Sequence, residues 1–197
     1  HDVFFPSGHY RVTSPLNPRD VDTIRGEGHP WIEQVNDEND VFYSENALRQ
    51  VYDGLILKGG KTHLNLGNAN EDNGMLIIEN CKFYGSVEAA IQMRKNSNST
   101  TLLIQNCQCV DCEQILITHT DFTHIRDCWF SCGKSTDGAL IENRAHTLLT
   151  LDNVCGVPLV NGGDQRWIDN HGNLLCRNVR FGGESGGFTP VVNFAKY

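Results

Sequence analysis

Basic, imidazole and carboxylate side chains gather at the ends of three short apolar segments in the middle of the chain. Arg94 follows the first segment, His119 ends the second, and Glu142 and Arg144 lie at the end of the third. A guanidinium holds a carboxylate, and an imidazole or carboxyl group transfers a proton near neutral pH. These residue types indicate acid–base chemistry on an acidic ligand, provided that the fold brings the segments side by side. Neighbouring polar residues of the same cluster are Gln92, Lys95, Thr118, Asp121, His124 and His146.

The elements that position these residues follow from a pattern that occurs five times. Each copy has an apolar residue, any residue, usually Ile or Leu, any residue, an Asn or Asp anchor, and then Cys or Val. The copies are LIIENCKF at 76–83, LLIQNCQC at 102–109, THIRDCWF at 123–130, LTLDNVCG at 149–156 and LLCRNVRF at 174–181. The anchors, separated by 26, 21, 26 and 25 residues, are Asn80, Asn106, Asp127, Asn153 and Asn178. A period in this range is typical of a solenoid, in which each repeat stacks on the next.

Each copy predicts a bent strand. Apolar and polar residues alternate, which favours a strand over a helix. The alternation shifts by one at the anchor, and Asn tolerates the left-handed backbone that such a bend needs. Stacking would align the anchors in a ladder and the apolar positions in three columns. Those columns are Leu76, Leu102, Thr123, Leu149 and Leu174; Ile78, Ile104, Ile125, Leu151 and Cys176; and Cys81, Cys107, Cys128, Val154 and Val179.

A second strand follows in most repeats, at 89–93, 115–119, 139–143 and 191–194. We align Ile91, Ile117 and Ile141 as inward positions, which turns Gln92, Thr118 and Glu142 outward. Glycine-rich turns such as Asn73-Gly74 and Gly182-Gly183 separate the strands. Together these features predict an all-β, right-handed, single-stranded parallel β-helix of about six or seven coils, with residues 1–197 as one domain.

Stacked coils would bring the cluster together within about 5 to 10 Å. His119 would then act as a base, with Arg94 and Arg144 holding a carboxylate and Glu142 beside them. The competing interpretation is an exposed ion-pair ladder of Arg94, Glu142 and Arg144, with His119 turned inward. A hydrolase would need two carboxyl groups, for which Glu142 with Asp121 or Asp137 are the candidates.

A second cluster interrupts the repeat at 161–171. Asp164, Arg166 and Trp167 lie in this segment, close to Asp169 and His171. An exposed aromatic ring with charged neighbours is a plausible platform for a sugar, so these three residues are candidate substrate-binding residues. The alternative is an ordinary insertion in the solenoid.

The ends of the chain resemble a known family. VFFPSGHYRV at 3–12 is similar to the "VxFPxGxYxV" strand that opens the coil in pectate-lyase-like proteins. TIRGEG at 23–28 resembles the next turn of that family, and NVRFGG at 178–183 resembles a later coil. The family has a capping segment before this opening strand, so we expect the chain to be a fragment of a longer protein without its N-terminal cap.

The resemblance implies a carbohydrate-active β-helix, most simply a polysaccharide lyase that cleaves a uronate-containing glycan by β-elimination. Four motifs of the related polygalacturonase-type hydrolases are absent from the sequence. The lyase strand "WIDHCSFS" is matched in register at 123–131, but Asp127 replaces its His and Arg126 its Asp. WIDNH at 167–171 resembles the same string outside the expected register. A glycoside hydrolase and a non-catalytic glycan-binding or structural β-helix, such as a tail-fibre or adhesin segment, stay open.

Composition narrows the partners. The formal net charge of −8 disfavours nucleic acid and anionic membranes, and no apolar run is long enough to span a bilayer. We expect a polysaccharide or oligosaccharide as partner, with further coils or chains of the parent protein as neighbours. The resemblance implies an extracellular or periplasmic location and, as one option, Ca²⁺ at the uronate. The eight cysteines show no zinc spacing beyond one lone C-x-x-C, and the repeat predicts a stack of buried thiols.

Overall fold

The computed structural model describes residues 1–19, 22–45, 47–67, 74–94, 99–131, 139–144, 147–157, 166–182 and 192–194. It is an all-β, right-handed parallel β-helix of about six turns, which confirms the predicted fold class. Within those ranges we find no helix of the length and apolar character needed to cross a membrane.

The described residues form twenty strands in two parallel sheets. Before the bend of each early coil, sheet A contains β1 (Asp2–Phe5), β3 (Thr23–Gly26), β6 (Arg49–Asp53), β9 (Gly74–Glu79) and β12 (Ser99–Gln105). After the bend it contains β2 (His9–Val12), β4 (Trp31–Gln34), β7 (Ile56–Gly59), β10 (Lys82–Tyr84) and β13 (Gln108–Val110). Three longer strands run through the bend, namely β15 (Phe122–Ser131), β17 (Leu148–Gly156) and β19 (Asn173–Phe181). Sheet B consists of β5 (Phe42–Ser44), β8 (Thr62–Leu66), β11 (Ala89–Met93), β14 (Gln114–Thr118), β16 (Ala139–Asn143), β18 (Arg166–Asn170) and β20 (Val192–Phe194).

The bend of sheet A lies at the predicted anchors. All five have left-handed backbone, with φ between 49° and 56°, at Asn80, Asn106, Asp127, Asn153 and Asn178. Their side chains form the predicted ladder: Asn106 Nδ2 donates to Asn80 Oδ1, and Asn153 Nδ2 donates to Asp127 Oδ1, each over 2.7 Å. The strand register also confirms the three apolar columns, which line the core as far as the fourth copy of the repeat, whereas Cys176 in the fifth copy is exposed.

The cysteine column is a stack of buried thiols, as predicted. Cys81, Cys107 and Cys128 are each at most 3% exposed. Each thiol donates to the carbonyl oxygen two residues earlier, over 3.1 to 3.2 Å. Burial raises the pKa of Cys107 well above its ordinary value, so this thiol stays protonated and packs as a small apolar group. Cys132 lies outside the described residues.

The predicted alignment of the second strands is wrong by one residue in β14. Leu116, not Ile117, pairs with Ile91 and Ile141 and faces the core. Thr118 is consequently buried, and its hydroxyl lies 3.0 Å from that of Thr123. Three successive aliphatic residues, 115–117, remove the alternation that would have fixed the phase of this strand.

Candidate functional site

One outward column of sheet B differs in chemistry from coil to coil. We call this the sheet B outer column, and its members are Tyr43, Asn65, Gln92, Ile117, Glu142 and Asp169. Glu142 and Asp169 are register partners on adjacent strands, which lie about 4.8 Å apart. The column therefore places two carboxylates side by side towards the C-terminal end of the sheet.

Glu142 is held by two neighbours. Gln114 Nε2 donates to Glu142 Oε1 over 3.0 Å and also to the Ala139 carbonyl oxygen over 2.7 Å. Arg144 Nε donates to Glu142 Oε2 over 2.9 Å, and a second guanidinium nitrogen contacts the same oxygen. This arrangement fixes the carboxylate against one face of Arg144, whose side chain is 46% exposed.

Asp169 has a similar environment one coil further on. Arg166 Nη1 donates to Asp169 Oδ2 over 3.1 Å, and His171 Nε2 lies 4.0 Å from Oδ1. The His171 side chain is 44% exposed. Each carboxylate thus has an arginine partner within its own coil. The Glu142–Arg144 pair of the competing interpretation is present, whereas Arg94 pairs with Glu45.

A second column lies two residues beyond the first, at the edge of sheet B. We call it the edge column: Arg94, His119, Arg144 and His171. Backbone bonds continue the strand register into it, from Arg144 N to Thr118 O and from His171 N to Asn143 O, each over 2.9 Å. The predicted neighbours Arg94, His119 and Arg144 therefore occupy successive coils, and His119 is half-buried just beyond the inward Thr118.

The Arg94 side chain turns away from this edge. Its Nη1 donates to the Tyr43 hydroxyl over 2.8 Å and its Nη2 to the Ser44 carbonyl oxygen over 2.7 Å. The guanidinium carbon lies 4.5 Å from the centre of the Tyr43 ring, and Glu45 is 3.6 Å away. Arg94 is thus engaged by the strand β5, on the side away from His119.

The residues of the predicted sugar platform separate. Trp167 is fully buried and stacks on Phe181, with ring centres 4.3 Å apart and planes at 14°. The ring belongs to the core and offers no exposed face to a sugar, which corrects its predicted role. Arg166 instead holds Asp169. The segment 166–170 is the strand β18 in the register of sheet B and does not interrupt the repeat.

The remaining predicted residues divide between two groups. Gln92 lies half-buried in the sheet B outer column, paired in register with Ile117. His124 lies on β15 of sheet A, away from the sheet B columns, and Asp121 immediately precedes that strand. Four predicted residues fall outside the described ranges: Lys95, Asp137, His146 and Asp164.

Asp169 is the site residue that sequence reasoning did not place beside Glu142. The signal was present as a repeat interval of 27 residues between the two carboxylates, close to the spacing of the anchors. Interpreting 161–171 as an interruption of the repeat leaves this second strand without a register and Asp169 without a neighbour.

Neither a metal-site search of the described residues nor the comparisons with known proteins assign a function to this site. No three His, Cys, Asp or Glu side chains of the described ranges are placed to hold a metal ion. No protein-family model matches the chain, and no curated protein matches it at a significant level. The fold therefore defines the class, a parallel β-solenoid, and the pectate-lyase-like character rests on the short motifs alone.

Proposed function

We propose that this β-solenoid is a pectate-lyase-like enzyme, extracellular or periplasmic, that cleaves a uronate-containing polysaccharide by β-elimination. The observation that supports it most directly is the edge column, in which arginine and histidine alternate on four successive coils. A polyuronate carries a carboxylate on every sugar, and basic side chains on adjacent coils, with Arg144 and His171 as the exposed ones, are complementary to it.

The chemistry assigns a role to each residue. Arg144, oriented by Glu142, neutralises the uronate carboxylate and thereby acidifies its C5 proton, and His171 donates a hydrogen bond to the same carboxylate. Neutral His119 takes that proton, the C5–H electrons form the C4–C5 double bond, and the C4–O bond breaks. The departing oxygen then receives a proton, from the His119 imidazolium or from water. The products are a new non-reducing end with an unsaturated uronate and an ordinary new reducing end.

The test uses a panel of acidic polysaccharides, with and without Ca²⁺, and follows the ultraviolet absorbance of the unsaturated uronate. We expect His119→Gln to lower the rate about 10²- to 10⁴-fold, the usual contribution of a positioned acid or base. Arg144→Gln should raise KM for the acidic substrate and also lower kcat, because Arg144 both binds the carboxylate and acidifies the C5 proton. His124→Gln and Arg177→Gln on sheet A are matched controls that should keep wild-type activity. Absence of any unsaturated product across the panel would refute the lyase proposal.

A glycoside hydrolase is the second candidate, because Glu142 and Asp169 are register neighbours. One carboxyl group would protonate the glycosidic oxygen while the other attacks the sugar or activates water. This activity would release reducing ends without ultraviolet absorbance, and either Glu142→Gln or Asp169→Asn should abolish it. Asp152→Asn on sheet A is the control. If neither product forms, the binding or structural role is favoured.

A further inference from the structure

A polar groove lies on sheet A, at the bend of the early coils. It has a volume of about 460 Å³. Its lining is rich in hydrogen-bonding side chains, namely His29, Asp53, Asn80, Lys82, Asn106 and Gln108. None of these residues contributes to the proposed chemistry on sheet B.

The groove exists because the anchor ladder stops at its N-terminal end. The register of β6 with β9 places Gly54 level with Asn80, and the register of β3 with β6 places Gly26 level with Gly54. Gly54 keeps the left-handed bend, with φ of 71°, without a side chain. A Cβ on Gly26 would lie 2.6 Å from the Gly54 carbonyl oxygen. Gly26 and Gly54 thus pack closely backbone to backbone, and neither carries the Asn or Asp side chain that later coils have at the bend.

The amides at the head of this ladder, half-buried Asn80 and exposed Asn106, retain hydrogen-bonding capacity for a ligand. Asn80 Nδ2 donates to Asp53 Oδ1, and Asn106 Nδ2 donates to Asn80 Oδ1, each over 2.7 Å. A primary amide has two N–H donors, so each can offer a second one. Lys82 and Gln108 add donors, and Asp53 adds carboxylate oxygens. Such a mixture of donors and acceptors, with charges of both signs, suits hydroxyl groups better than it suits a row of carboxylates.

Two exposed tryptophans flank the groove in one column of sheet A. The register runs from Trp31 through Ile56, Lys82 and Gln108 to Trp129. Four strand spacings separate the tryptophans, or about 19 Å. Trp31 is 40% and Trp129 is 39% exposed. Trp31 is also held in place by Tyr84, with ring centres 5.7 Å apart and planes at 11°. Large aromatic surfaces beside convergent polar groups are features of small-molecule sites.

We propose that this groove is a second site, which binds a neutral oligosaccharide lying along the column from Trp31 to Trp129. The hydroxyls meet Asn80, Lys82 and Gln108, and the apolar faces of terminal sugars cover the tryptophan rings. The inference goes beyond the proposed function, because it requires no bond cleavage and no residue of sheet B.

Calorimetric titration tests the site with linear tetrasaccharides of glucose, mannose and galactose, and with tetragalacturonate as the acidic comparison. We expect at least one neutral probe to bind and to change tryptophan fluorescence. Gln108→Ala and Trp129→Ala should each weaken binding about tenfold or more. Phe122→Ala is a matched control for Trp129→Ala, since Phe122 lies on the same strand and is 42% exposed. Thermal melting of each variant verifies that it is folded.

Three outcomes would overturn the assignment: no neutral tetrasaccharide binds, tetragalacturonate binds more tightly than all of them, or folded Gln108→Ala and Trp129→Ala bind like wild type. His119→Gln should bind the neutral probe normally. Absence of binding in this titration would refute the groove proposal without affecting the lyase proposal. Absence of lyase activity would likewise not affect the groove proposal, so the two can be refuted separately.

Discussion

The anchor ladder of sheet A and the outer column of sheet B are both stacks of side chains, yet they are built in opposite ways. The ladder has Asn at four of its five anchors and Asp at the other, and its amides donate in one direction along the axis. The sheet B outer column changes residue at almost every coil, and its described ion pairs at Glu142 and Asp169 stay within one coil. The repeated anchors maintain the shape of the solenoid. The variable positions of the sheet B outer column instead place two carboxylates, Glu142 and Asp169, on adjacent strands.

The ladder also shows how a repeat is ended. Asn178 donates to Asn153 and Asn153 to Asp127, while Asn106 donates to Asn80 and Asn80 to Asp53. An ionised carboxylate accepts hydrogen bonds but cannot pass one on. The two aspartates therefore divide the ladder into two segments, and the groove lies where the first segment ends.

The largest effect on stability should come from the core side of sheet B. Trp167→Ala would remove a fully buried ring that stacks on Phe181, and we expect a loss of about 3 to 5 kcal/mol in the free energy of unfolding. Trp129→Ala on the outer surface of sheet A should cost less than about 1 kcal/mol. Urea denaturation of both variants measures the difference. Equal losses would mean that Trp167 does not pack in the core as described.

An intermediate effect is expected from the ladder. Asn153→Ala would remove the bond to Asp127 and leave alanine at φ of 53°, so we expect a loss of about 2 kcal/mol. Asn153→Gly fits the backbone and loses only the ladder contacts, so its loss should be about half as large. The same urea experiment distinguishes them. If glycine were as costly as alanine, the hydrogen bonds rather than the backbone would dominate the bend.

The fold could be predicted from the sequence where positions repeat, as in the anchor ladder, and could not where they vary, as in the sheet B outer column. The three columns and the bend at Asn80 and its equivalents were predictable because identical positions recur and each has one chemical requirement. Strands β4 to β8, between residues 31 and 66, were not assigned, since Gly54 replaces the anchor and leaves the pattern without its marker.

The candidate site was predictable only at the level of the backbone. Stacking brings Arg94, His119 and Arg144 onto successive coils, as the repeat implied. The direction of each side chain depends on partners outside the repeat: Tyr43 engages Arg94, and Glu142 engages Arg144. Trp167 is buried because Gly156 leaves room, as a Cβ on that glycine would lie 2.4 Å from the indole ring. Such pairings follow from three-dimensional packing and have no signature in the period.

The smallest effects should appear in the pH dependence of stability, with opposite signs at two carboxyl groups. Glu33 lies on sheet A among three basic groups, with Lys58 Nζ at 3.0 Å, His9 Nε2 at 3.1 Å and Arg11 Nε at 3.4 Å. The hydrogen bond from Lys58, with weaker attraction from the other cations, lowers the pKa of Glu33 from its ordinary value of 4.5 and outweighs desolvation. Its stabilising contribution is therefore complete above pH 4.5 and is lost as pH falls through the lowered value.

Asp40, beside β5 of sheet B, should behave in the opposite way. Burial raises the pKa of Asp40 above 3.8, and the hydrogen bond from Asn65 Nδ2, over 2.8 Å, offsets this only in part. The folded state then takes up a proton before the unfolded chain does, so this group adds stability as pH falls through its raised value. Urea denaturation between pH 3 and 7 of wild type, Glu33→Gln and Asp40→Asn tests both signs.

Relative to wild type, we expect Glu33→Gln to be less stable at pH 7 by at most about 1 kcal/mol, with the deficit shrinking at acidic pH and at high salt. The free energy of unfolding of Asp40→Asn, relative to that of wild type, should be highest at neutral pH and should decrease as the pH falls. Salt should have little effect on this difference because the group is buried. Arg177→Gln, which removes an exposed pair with Asp152, controls for a general effect of surface charge. If the free energies of unfolding of Glu33→Gln and Asp40→Asn, each relative to wild type, changed with pH in the same direction, the opposite effects of ion pairing at Glu33 and burial at Asp40 would be contradicted.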